Sequence, residues 1–263
     1  MQSPWFCLTV EIIPPNIEIE VAMPFDLHNK TILITGAARR LGRSSALAAA
    51  SLGANVILHY NSSSAEVDET LKQVKDLNVN AWALKADLGD TIQVERLMSE
   101  ACELAPLYAL INNASIFKPV NFQNSTNTEW EQHLQVNLTA PYILTREFAR
   151  QYSLQETGRV INLVDWRALR PGRDHFPYTI SKAGLVALTQ ATALNLAPRI
   201  VVNAVALGAI LPPENESENQ DILKQVPMKR WASLKEFDET ILFLLQGPTY
   251  ITGEVIHLDG GRH

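Results

Sequence analysis

The sequence predicts an α/β fold, a doubly wound parallel sheet of seven strands with helices on both faces. Three observations lead to this prediction. Short apolar runs rich in β-branched residues recur from Lys30 onward, amphipathic stretches of helical length separate them, and a glycine-containing turn follows the first run. The chain has 263 residues, 46% of them hydrophobic, so it can bury such a core within a single domain.

The predicted elements alternate regularly along the chain. The strands are expected at 31–35, 55–60, 80–86, 108–112, 159–164, 199–205 and 254–258. The helices are expected at 41–52, 64–77, 91–104, 129–152, 178–197 and 233–246. Thr128, three residues before Glu131, predicts a capping box at the start of the helix 129–152. Because parallel crossovers are right-handed, few topologies fit this order.

Composition limits the partners and the compartment. The chain has 22 Lys and Arg against 28 Asp and Glu, a formal charge of −6, and no Lys/Arg-rich run, so nucleic acid is not expected as a partner. No stretch of about 18 apolar residues predicts a membrane span. Cys7 and Cys102 are too few for a disulfide framework and lack the spacing of a metal site. We expect a cytoplasmic protein without a metal.

Two segments stand apart from the regular pattern. Residues 1–27 are expected to form an N-terminal extension to a domain at 28–263, and the prolines at 4, 14 and 15 exclude a long helix there. Met23 is a plausible start, and a tail, an artefact or a packed edge remain open for residues 1–22. The irregular segment 207–220 is expected to be a mobile lid over the substrate. The acidic residues at 214–221 are typical of a solvated loop, and we assign them no substrate role.

The turn after the first strand is a candidate phosphate site. It reads TGAARRLGR at 35–43, where backbone amides and the helix dipole can hold a pyrophosphate. Gly36 allows the tight turn, and Gly42 allows close backbone approach. A plain strand-to-helix turn is the alternative, and the position after the first of seven strands argues against it.

The end of the second strand indicates which dinucleotide binds. NAD-dependent enzymes usually place an acid there to bind the ribose hydroxyls. Here Arg39 lies in the preceding turn and no acid ends the strand, so NADPH is the expected cofactor. Solvated loop charges at Arg39 and Arg40 are the alternative. The residues at the strand end are His59, Tyr60, Asn61, Ser62 and Ser63.

The end of the third strand offers a further cofactor contact. Asp87, followed by Leu88, can accept a hydrogen bond from an adenine amino group. A helix cap is the alternative for Asp87.

Tyr178 and Lys182 form the candidate catalytic pair. Their YxxxK spacing places both side chains on one face of a helix. A nearby ammonium favours the phenolate, so Lys182 is expected to lower the pKa of Tyr178 and make it a proton donor near neutral pH. The pair alone is also typical of a surface helix.

The joint order of motifs is more specific than any one of them. The glycine turn, INNAS at 111–115, Asn137 in QVNLTAPY, a candidate residue 13 positions before the tyrosine, and YTISK together resemble the short-chain dehydrogenase/reductase family. The resemblance runs from about residue 28 and implies a Rossmann-like fold. It also implies homo-oligomers, dimers or tetramers, paired through the helices 129–152 and 178–197.

The resemblance assigns further roles. Lys182 would also bind the nicotinamide ribose, and Asn137 would hold a water that links the lysine to solvent; an asparagine bonded to its own helix backbone is the alternative. The family's usual Pro-Gly after the sixth strand appears as Leu207-Gly208, so backbone groups around Ile210 are expected to contact the nicotinamide. The remaining cofactor contacts implied by resemblance are Leu41, Asn113, Ala114 and Ser115.

One departure narrows the resemblance. The family commonly has a serine 13 residues before the tyrosine, and this chain has Asp165. Together with TGAARRLG, HYNSS and NNASIF, the aspartate makes the sequence similar to the pteridine reductase branch of the family. This resemblance implies substrate contacts by Arg40, Ser115, Phe117, Asp165 and Tyr178. Phe117 would stack on a bicyclic ring, and a core residue is its alternative. Trp166 has no counterpart that we can place.

The expected function is therefore NADPH-dependent reduction of a small molecule, a dihydropterin or dihydrofolate. Asp165, when protonated, can donate a hydrogen bond or a proton, and a ring nitrogen suits it better than a ketone oxygen. The alternatives are a reductase of another carbonyl, such as a 3-oxoacyl thioester, and a non-catalytic NADPH-binding regulator.

Overall fold

The computed structural model describes residues 26–211 and 220–262. Most of the predicted extension at 1–27, and the part of the predicted lid at 212–219, lie outside the described residues. Among the described residues, no helix is long and apolar enough to cross a membrane. The described part forms one domain with helices packed on both sides of a central sheet.

The sheet has seven strands, all parallel, in the order β3-β2-β1-β4-β5-β6-β7. This confirms the predicted doubly wound, Rossmann-like fold: the order reverses between β1 and β4, where ligands bind in such sheets. The strands are β1 (Thr31–Ile34), β2 (Asn55–Tyr60), β3 (Ala81–Lys85), β4 (Leu107–Asn112), β5 (Gly158–Asp165), β6 (Ile200–Leu207) and β7 (Val255–Leu258).

The helices connect the strands in the predicted order, with one short helix after β6 that was not predicted. They are α1 (Arg40–Ser51), α2 (Ser64–Lys75), α3 (Thr91–Leu104), α4 (Asn127–Leu134), α5 (Ala140–Gln151), α6 (Phe176–Leu196), α7 (Gln220–Lys224) and α8 (Leu234–Gln246).

The core follows the two-residue period of the strands. In β1, Ile32 and Ile34 pack on one face with buried residues of α1 and α8, while Leu33 packs on the other face with α3 and α5. Burying one such side chain contributes about 1.5–3 kcal/mol. The central strands are thus covered on both faces, which is why they read as continuous apolar runs.

The predicted capping box is wrong by two residues. Thr126, not Thr128, caps α4: its Oγ1 accepts the Glu129 N–H at 3.2 Å, and the Glu129 carboxylate accepts the Thr126 N–H at 3.0 Å. Two overlapping T-x-x-E patterns occur here, and the first one begins the helix. Thr128 therefore lies in the first turn.

The predicted helix 129–152 is not one regular helix. A π-helical turn (Gln135–Thr139) separates α4 from α5. Asn137 lies in this turn and is fully buried. Such turns are common at functional sites because the wider turn redirects a side chain without ending the helix.

Candidate active site

A cleft of about 530 Å³ lies at the carboxyl ends of β1 to β4. Fifteen of the predicted cofactor residues line it, together with three that were not predicted. The predicted residues are Gly36, Arg39, Arg40, Leu41, Gly42, His59, Tyr60, Asn61, Ser62, Ser63, Asp87, Leu88, Asn113, Ala114 and Ser115. The others are Ala38, Ile116 and Val136, which are apolar and lie inside the quoted motifs TGAARRLGR, NNASIF and QVNLTAPY without having been selected.

The glycine turn fits a group that lies close to the backbone. Gly36 has φ +63°, and a Cβ at Gly42 would lie 2.3 Å from the Gly36 carbonyl oxygen, so each position requires glycine. Arg39 is the N-cap of α1 and makes no side-chain cap hydrogen bond. The first amides of this helix are therefore not capped by that side chain, and they fit a pyrophosphate.

Arg40 adopts φ +51° at the start of α1, a backbone conformation that a non-glycine residue rarely adopts. Its side chain is exposed and lines the cleft. Arginine thus stands at a backbone position that favours glycine.

Thr35 and Asn113 hold the turn against β4. The Thr35 hydroxyl accepts the N–H groups of Asn113 and Ala114 at 2.9 and 3.0 Å. In return, the Asn113 amide donates to the carbonyls of Thr35 and Gly36 at 2.6 and 3.0 Å. The Asn113 side chain therefore shapes the floor of the cleft. Thr35 was not selected from the sequence, although it lies inside the TGAARRLGR motif.

His59 connects three strand ends. Its Nδ1 accepts the Gly36 N–H at 3.1 Å, and its Nε2 lies 3.1 Å from the Ala86 carbonyl. Burial lowers the pKa of His59 to about 4, so the ring is neutral and donates from Nε2. Both ring nitrogens are therefore engaged in hydrogen bonds within the protein. Any contact of His59 with a cofactor would have to be made by its other atoms.

The rim near α2 carries exposed polar groups and no acid at the end of β2. Asn61 and Ser62 are exposed. The Asn61 amide donates to Asp87 Oδ1 at 3.3 Å, and the same oxygen accepts the Gly89 N–H at 2.8 Å. Asp90, not Asp87, caps α3. Asp87 is thus not the cap of that helix, and it lines the cleft.

The candidate catalytic groups converge at the end of β5. Tyr178 and Lys182 lie one turn apart on α6, both buried, and the Lys182 Nζ is 5.9 Å from the centroid of the Tyr178 ring. The Tyr178 hydroxyl donates to Asp165 Oδ2 at 3.2 Å, and Lys182 Nζ donates to the Leu163 carbonyl at 2.7 Å. The structure thus brings together the three residues that the sequence selected.

The electrostatics differ from the prediction. Burial, and then the negative charge of Asp165, raise the pKa of Tyr178 well above its ordinary value. The expectation that Lys182 lowers this pKa is therefore wrong. Burial also lowers the pKa of Lys182 to about 8, partly opposed by Asp165, so the amine can exchange a proton near neutral pH.

Asn137 bonds the loop after β4 rather than its own helix backbone. Its Oδ1 accepts the Ile116 N–H at 2.9 Å and the Ser115 hydroxyl at 3.1 Å. Its Nδ2 donates to the Ile116 carbonyl and the Ser181 hydroxyl, both at 3.0 Å. Asn137 therefore fixes this loop against α6, and the predicted water link stays a prediction.

Phe117 is a half-exposed aromatic platform beside the candidate catalytic tyrosine. Its ring stacks on His175, with centroids 3.9 Å apart and planes 7° from parallel. It also meets the Tyr178 ring edge-on at 4.6 Å. With 52% of its surface exposed, Phe117 is not a core residue, and it can take a flat ring.

The loop between β5 and α6 contributes residues that sequence reasoning missed. Arg167 donates its backbone N–H to Asp165 Oδ1 at 2.8 Å, and Asp174 Oδ2 lies 2.8 Å from Nδ1 of His175. These residues sit in WRALRPGRDH, which matches no motif, so only their position just before Tyr178 could have suggested them.

Gly208 and Ile210 take mainly structural positions. The Gly208 N–H donates to the Leu258 carbonyl at 2.9 Å, and the Ile210 side chain is buried in the core. Neither residue lines the cleft, so their predicted cofactor contacts stay predictions. Within 26–211 and 220–262, no group of three or more His, Cys, Asp or Glu side chains could hold a metal.

Comparison with known proteins gives a consistent set of relatives. The family profile of short chain dehydrogenases matches residues 30–223. The 3-oxoacyl-[acyl-carrier-protein] reductase FabG of Staphylococcus epidermidis is 31% identical over 242 residues, covering 89% of this chain and 99% of that protein. FabG of Aquifex aeolicus is 33% identical over 251 residues, covering 91% and 99%.

A solved structure points to a second activity among the relatives. FolM alternative dihydrofolate reductase 1 from Brucella canis, complexed with NADP, is 34% identical to this chain. Its TM-score is 0.82, and the match covers 90% of this chain and 95% of that chain.

Proposed function

The chain belongs to the short-chain dehydrogenase/reductase family, and on that premise we propose that it is an NADPH-dependent reductase of a dihydropterin or dihydrofolate. The observation that carries the proposal is the 3.2 Å hydrogen bond from Tyr178 to Asp165. A carboxyl group at this place can bind the N–H and amino groups of a nitrogen heterocycle, whereas a ketone offers only an oxygen acceptor.

The residues present fit an NADP cofactor, which would supply a hydride. Gly36 and Gly42 leave room for a pyrophosphate at the start of α1. Ser62 and Ser63, with no acid beside them, suit a 2′-phosphate better than a bare ribose diol. The Brucella canis FolM structure, which holds NADP, supports the same assignment.

The chain's own groups supply orientation and the proton. Phe117 offers one ring face beside Tyr178, so a flat substrate stacked there lies next to the Tyr178 hydroxyl and the Asp165 carboxyl. Tyr178 or Asp165 gives a proton to the ring nitrogen next to the reduced carbon. Lys182, with a pKa near 8, restores that proton through the buried site.

A second candidate is a 3-oxoacyl thioester reductase. The observation that favours it is the 31–33% identity to two FabG reductases along nearly their whole length. In that case Asp165 would be a tolerated structural acid, and a basic surface would be needed for a carrier protein.

NADPH consumption by the purified protein separates the two candidates. Consumption should rise well above background with dihydropterins or dihydrofolate and stay near background with a 3-oxoacyl thioester. Tyr178→Phe keeps the ring and removes the transferable proton, so turnover should collapse while the dissociation constant for NADPH stays nearly unchanged. A wild-type enzyme that reduces only the thioester would refute the pterin assignment.

We also propose that the protein works as a cytoplasmic homo-oligomer. The two helices predicted to pair carry exposed apolar side chains, among them Tyr142 on α5 and Ile180 and Leu194 on α6. Light scattering on the eluting protein would give the mass, and a monomer at micromolar concentration would contradict this proposal.

A further inference from the structure

One tryptophan and two arginines form a cluster on the loop side of the catalytic groups. We call Trp166, Arg167 and Arg262 the arginine–tryptophan cluster. The guanidinium carbon of Arg262 lies 3.9 Å from the centroid of the Trp166 ring, and that of Arg167 lies 4.9 Å from it. One indole is therefore in contact with two cations.

The cluster begins beside the proposed substrate platform. The Arg167 guanidinium carbon lies 5.7 Å from the centroid of the Phe117 ring. Trp166 directly follows Asp165 in the chain, and the Arg167 N–H binds the Asp165 carboxylate. A substrate held by Phe117 and Asp165 would therefore extend toward these cations.

The guanidinium groups of Arg167 and Arg262 have N–H donors that are not engaged by the described residues. Arg167 donates from Nη2 to Asp174 at 3.2 Å, its Nη1 lies 3.7 Å from Asp165, and its buried Nε has no partner among the described residues. Arg262 donates from Nη2 to Gln225 at 2.6 Å and has no carboxylate within 4.0 Å in the described part of the chain. A buried guanidinium donor without a partner is costly and favours an incoming acceptor.

The charges around the cluster leave Arg262 as the more available cation. Asp165 and Asp174 face Arg167, and both carboxylates also act on Arg262, together with Asp259 from its own segment. Burial, and then the positive charge of Arg167, lower the pKa of Arg262. An anion bound at the cluster would relieve this repulsion between like charges.

We propose that the arginine–tryptophan cluster binds a carboxylate on the substrate's tail, so that the preferred substrate is a folate-type pterin rather than one with a neutral side chain. This rests on the proposed pterin reduction. The ring would stack on Phe117, and the tail would pass along Trp166 to end on Arg262. Guanidinium groups bind carboxylates with two parallel hydrogen bonds, and the indole face suits an aryl linker.

The test compares two substrates that share the pterin ring and differ in the tail. Arg262→Met should lower kcat/KM for dihydrofolate about tenfold, the usual effect of losing a charged hydrogen bond. For dihydrobiopterin, which has no carboxylate, kcat/KM should change less than about twofold. Arg170→Met is the matched control, because Arg170 is an exposed arginine on the loop that carries Trp166 and Arg167 but is not part of the cluster. This control should leave the ratio of the two kcat/KM values as it is in the wild type.

Calorimetric titration of p-aminobenzoylglutamate gives a readout that needs no turnover. Its affinity should fall in Arg262→Met and be partly restored in Arg262→Lys, which keeps the charge. If Arg262→Met unfolds, the two kcat/KM values are compared in Arg262→Lys instead. An unchanged substrate ratio and an unchanged affinity would overturn the inference.

The outcomes separate this inference from the proposed function. A wild-type enzyme that reduces neither pterin contradicts the proposed function. An enzyme that reduces both, with a ratio insensitive to Arg262, contradicts the inference alone. A third arm compares acetoacetyl-coenzyme A with the acetoacetyl thioester of N-acetylcysteamine, which lacks phosphate. If Arg262→Met impairs only the coenzyme A thioester, the anion is a thioester phosphate and the carboxylate assignment fails.

Discussion

The Tyr178 hydroxyl donates a hydrogen bond to the Asp165 carboxylate over 3.2 Å. The pair links α6 to the end of β5 and places a negative charge beside the candidate proton donor. Burial and this charge both raise the pKa of Tyr178. The tyrosine is thus held neutral, with its proton directed to the carboxylate.

The first prediction concerns Asp165→Asn, which removes the charge and keeps the shape. The pKa of Tyr178 should fall, because a negative charge that disfavours the phenolate is gone. The pKa of Lys182 should fall as well, since Asp165 raises it. The alkaline limb of kcat/KM against pH should therefore move to lower pH. Asp174→Asn, which removes a carboxylate that does not bind Tyr178, should move the limb less, and an alkaline limb that stays in place in Asp165→Asn would contradict the assignment.

The second prediction concerns stability in Lys182→Met. The folded pKa of Lys182, about 8, lies below the ordinary 10.5, so the folded state disfavours the protonated amine. Below pH 8 the full cost of about 3 kcal/mol applies, and it disappears as pH rises from 8 to 10.5. Loss of the hydrogen bond to the Leu163 carbonyl offsets about 1 kcal/mol.

Urea unfolding at several pH values measures this effect. Lys182→Met should be more stable than the wild type at pH 7, by about 2 kcal/mol, and should lose that advantage by pH 10. Lys85→Met, at an exposed position, should change little at either pH. A Lys182→Met variant less stable than the wild type at pH 7 would show that the buried ammonium is well compensated.

The third prediction concerns the choice of dinucleotide. Ser62→Asp places an acid at the rim near α2, where it would repel a 2′-phosphate and accept from ribose hydroxyls. Fluorescence titration should show NADPH affinity falling about tenfold and NADH affinity holding or rising. Ser62→Asn is the uncharged control and should keep the preference for NADPH. Equal wild-type affinities for NADPH and NADH would contradict the proposal that the rim near α2 selects NADPH.

The fourth prediction concerns the aromatic platform. Phe117→Leu removes the face that stacks on His175 and on the proposed substrate. The KM for a dihydropterin should rise about five- to tenfold, as for the loss of one aromatic contact, with little change in NADPH affinity. Phe122→Leu is the control, because Phe122 is exposed and contacts Phe176 rather than Tyr178. Equal effects of the two variants would contradict a platform at Phe117.

The fold was predictable because strands buried on both faces of a parallel sheet appear in the sequence as short, continuous apolar runs. The β-branched runs gave all seven strands to within two residues at each end. The glycine turn was equally predictable, since Gly36 and Gly42 are required by backbone geometry at one place in such a fold. Both features depend on the types of residue at neighbouring positions, which can be identified from the sequence alone.

Features that depend on tertiary contacts were not predictable. The π-helical turn at Asn137 accompanies hydrogen bonds from the buried amide to the loop after β4, a partner 21 residues away. The raised pKa of Tyr178 follows from burial and a hydrogen bond across 13 residues. The contact between Trp166 and Arg262 joins residues almost 100 positions apart, and no local sequence pattern connects them.

The selectivity of Asp165→Ser tests whether Asp165 directs the enzyme toward pterins. The measurement is the ratio of kcat/KM for a dihydropterin to that for a 3-oxoacyl thioester, in the wild type and in this variant. We expect a wild-type ratio above one, which falls at least about tenfold in the variant while NADPH binds as before. A wild-type enzyme that ignores every pterin, with a thioester rate that Asp165→Ser leaves unchanged, would contradict this expectation.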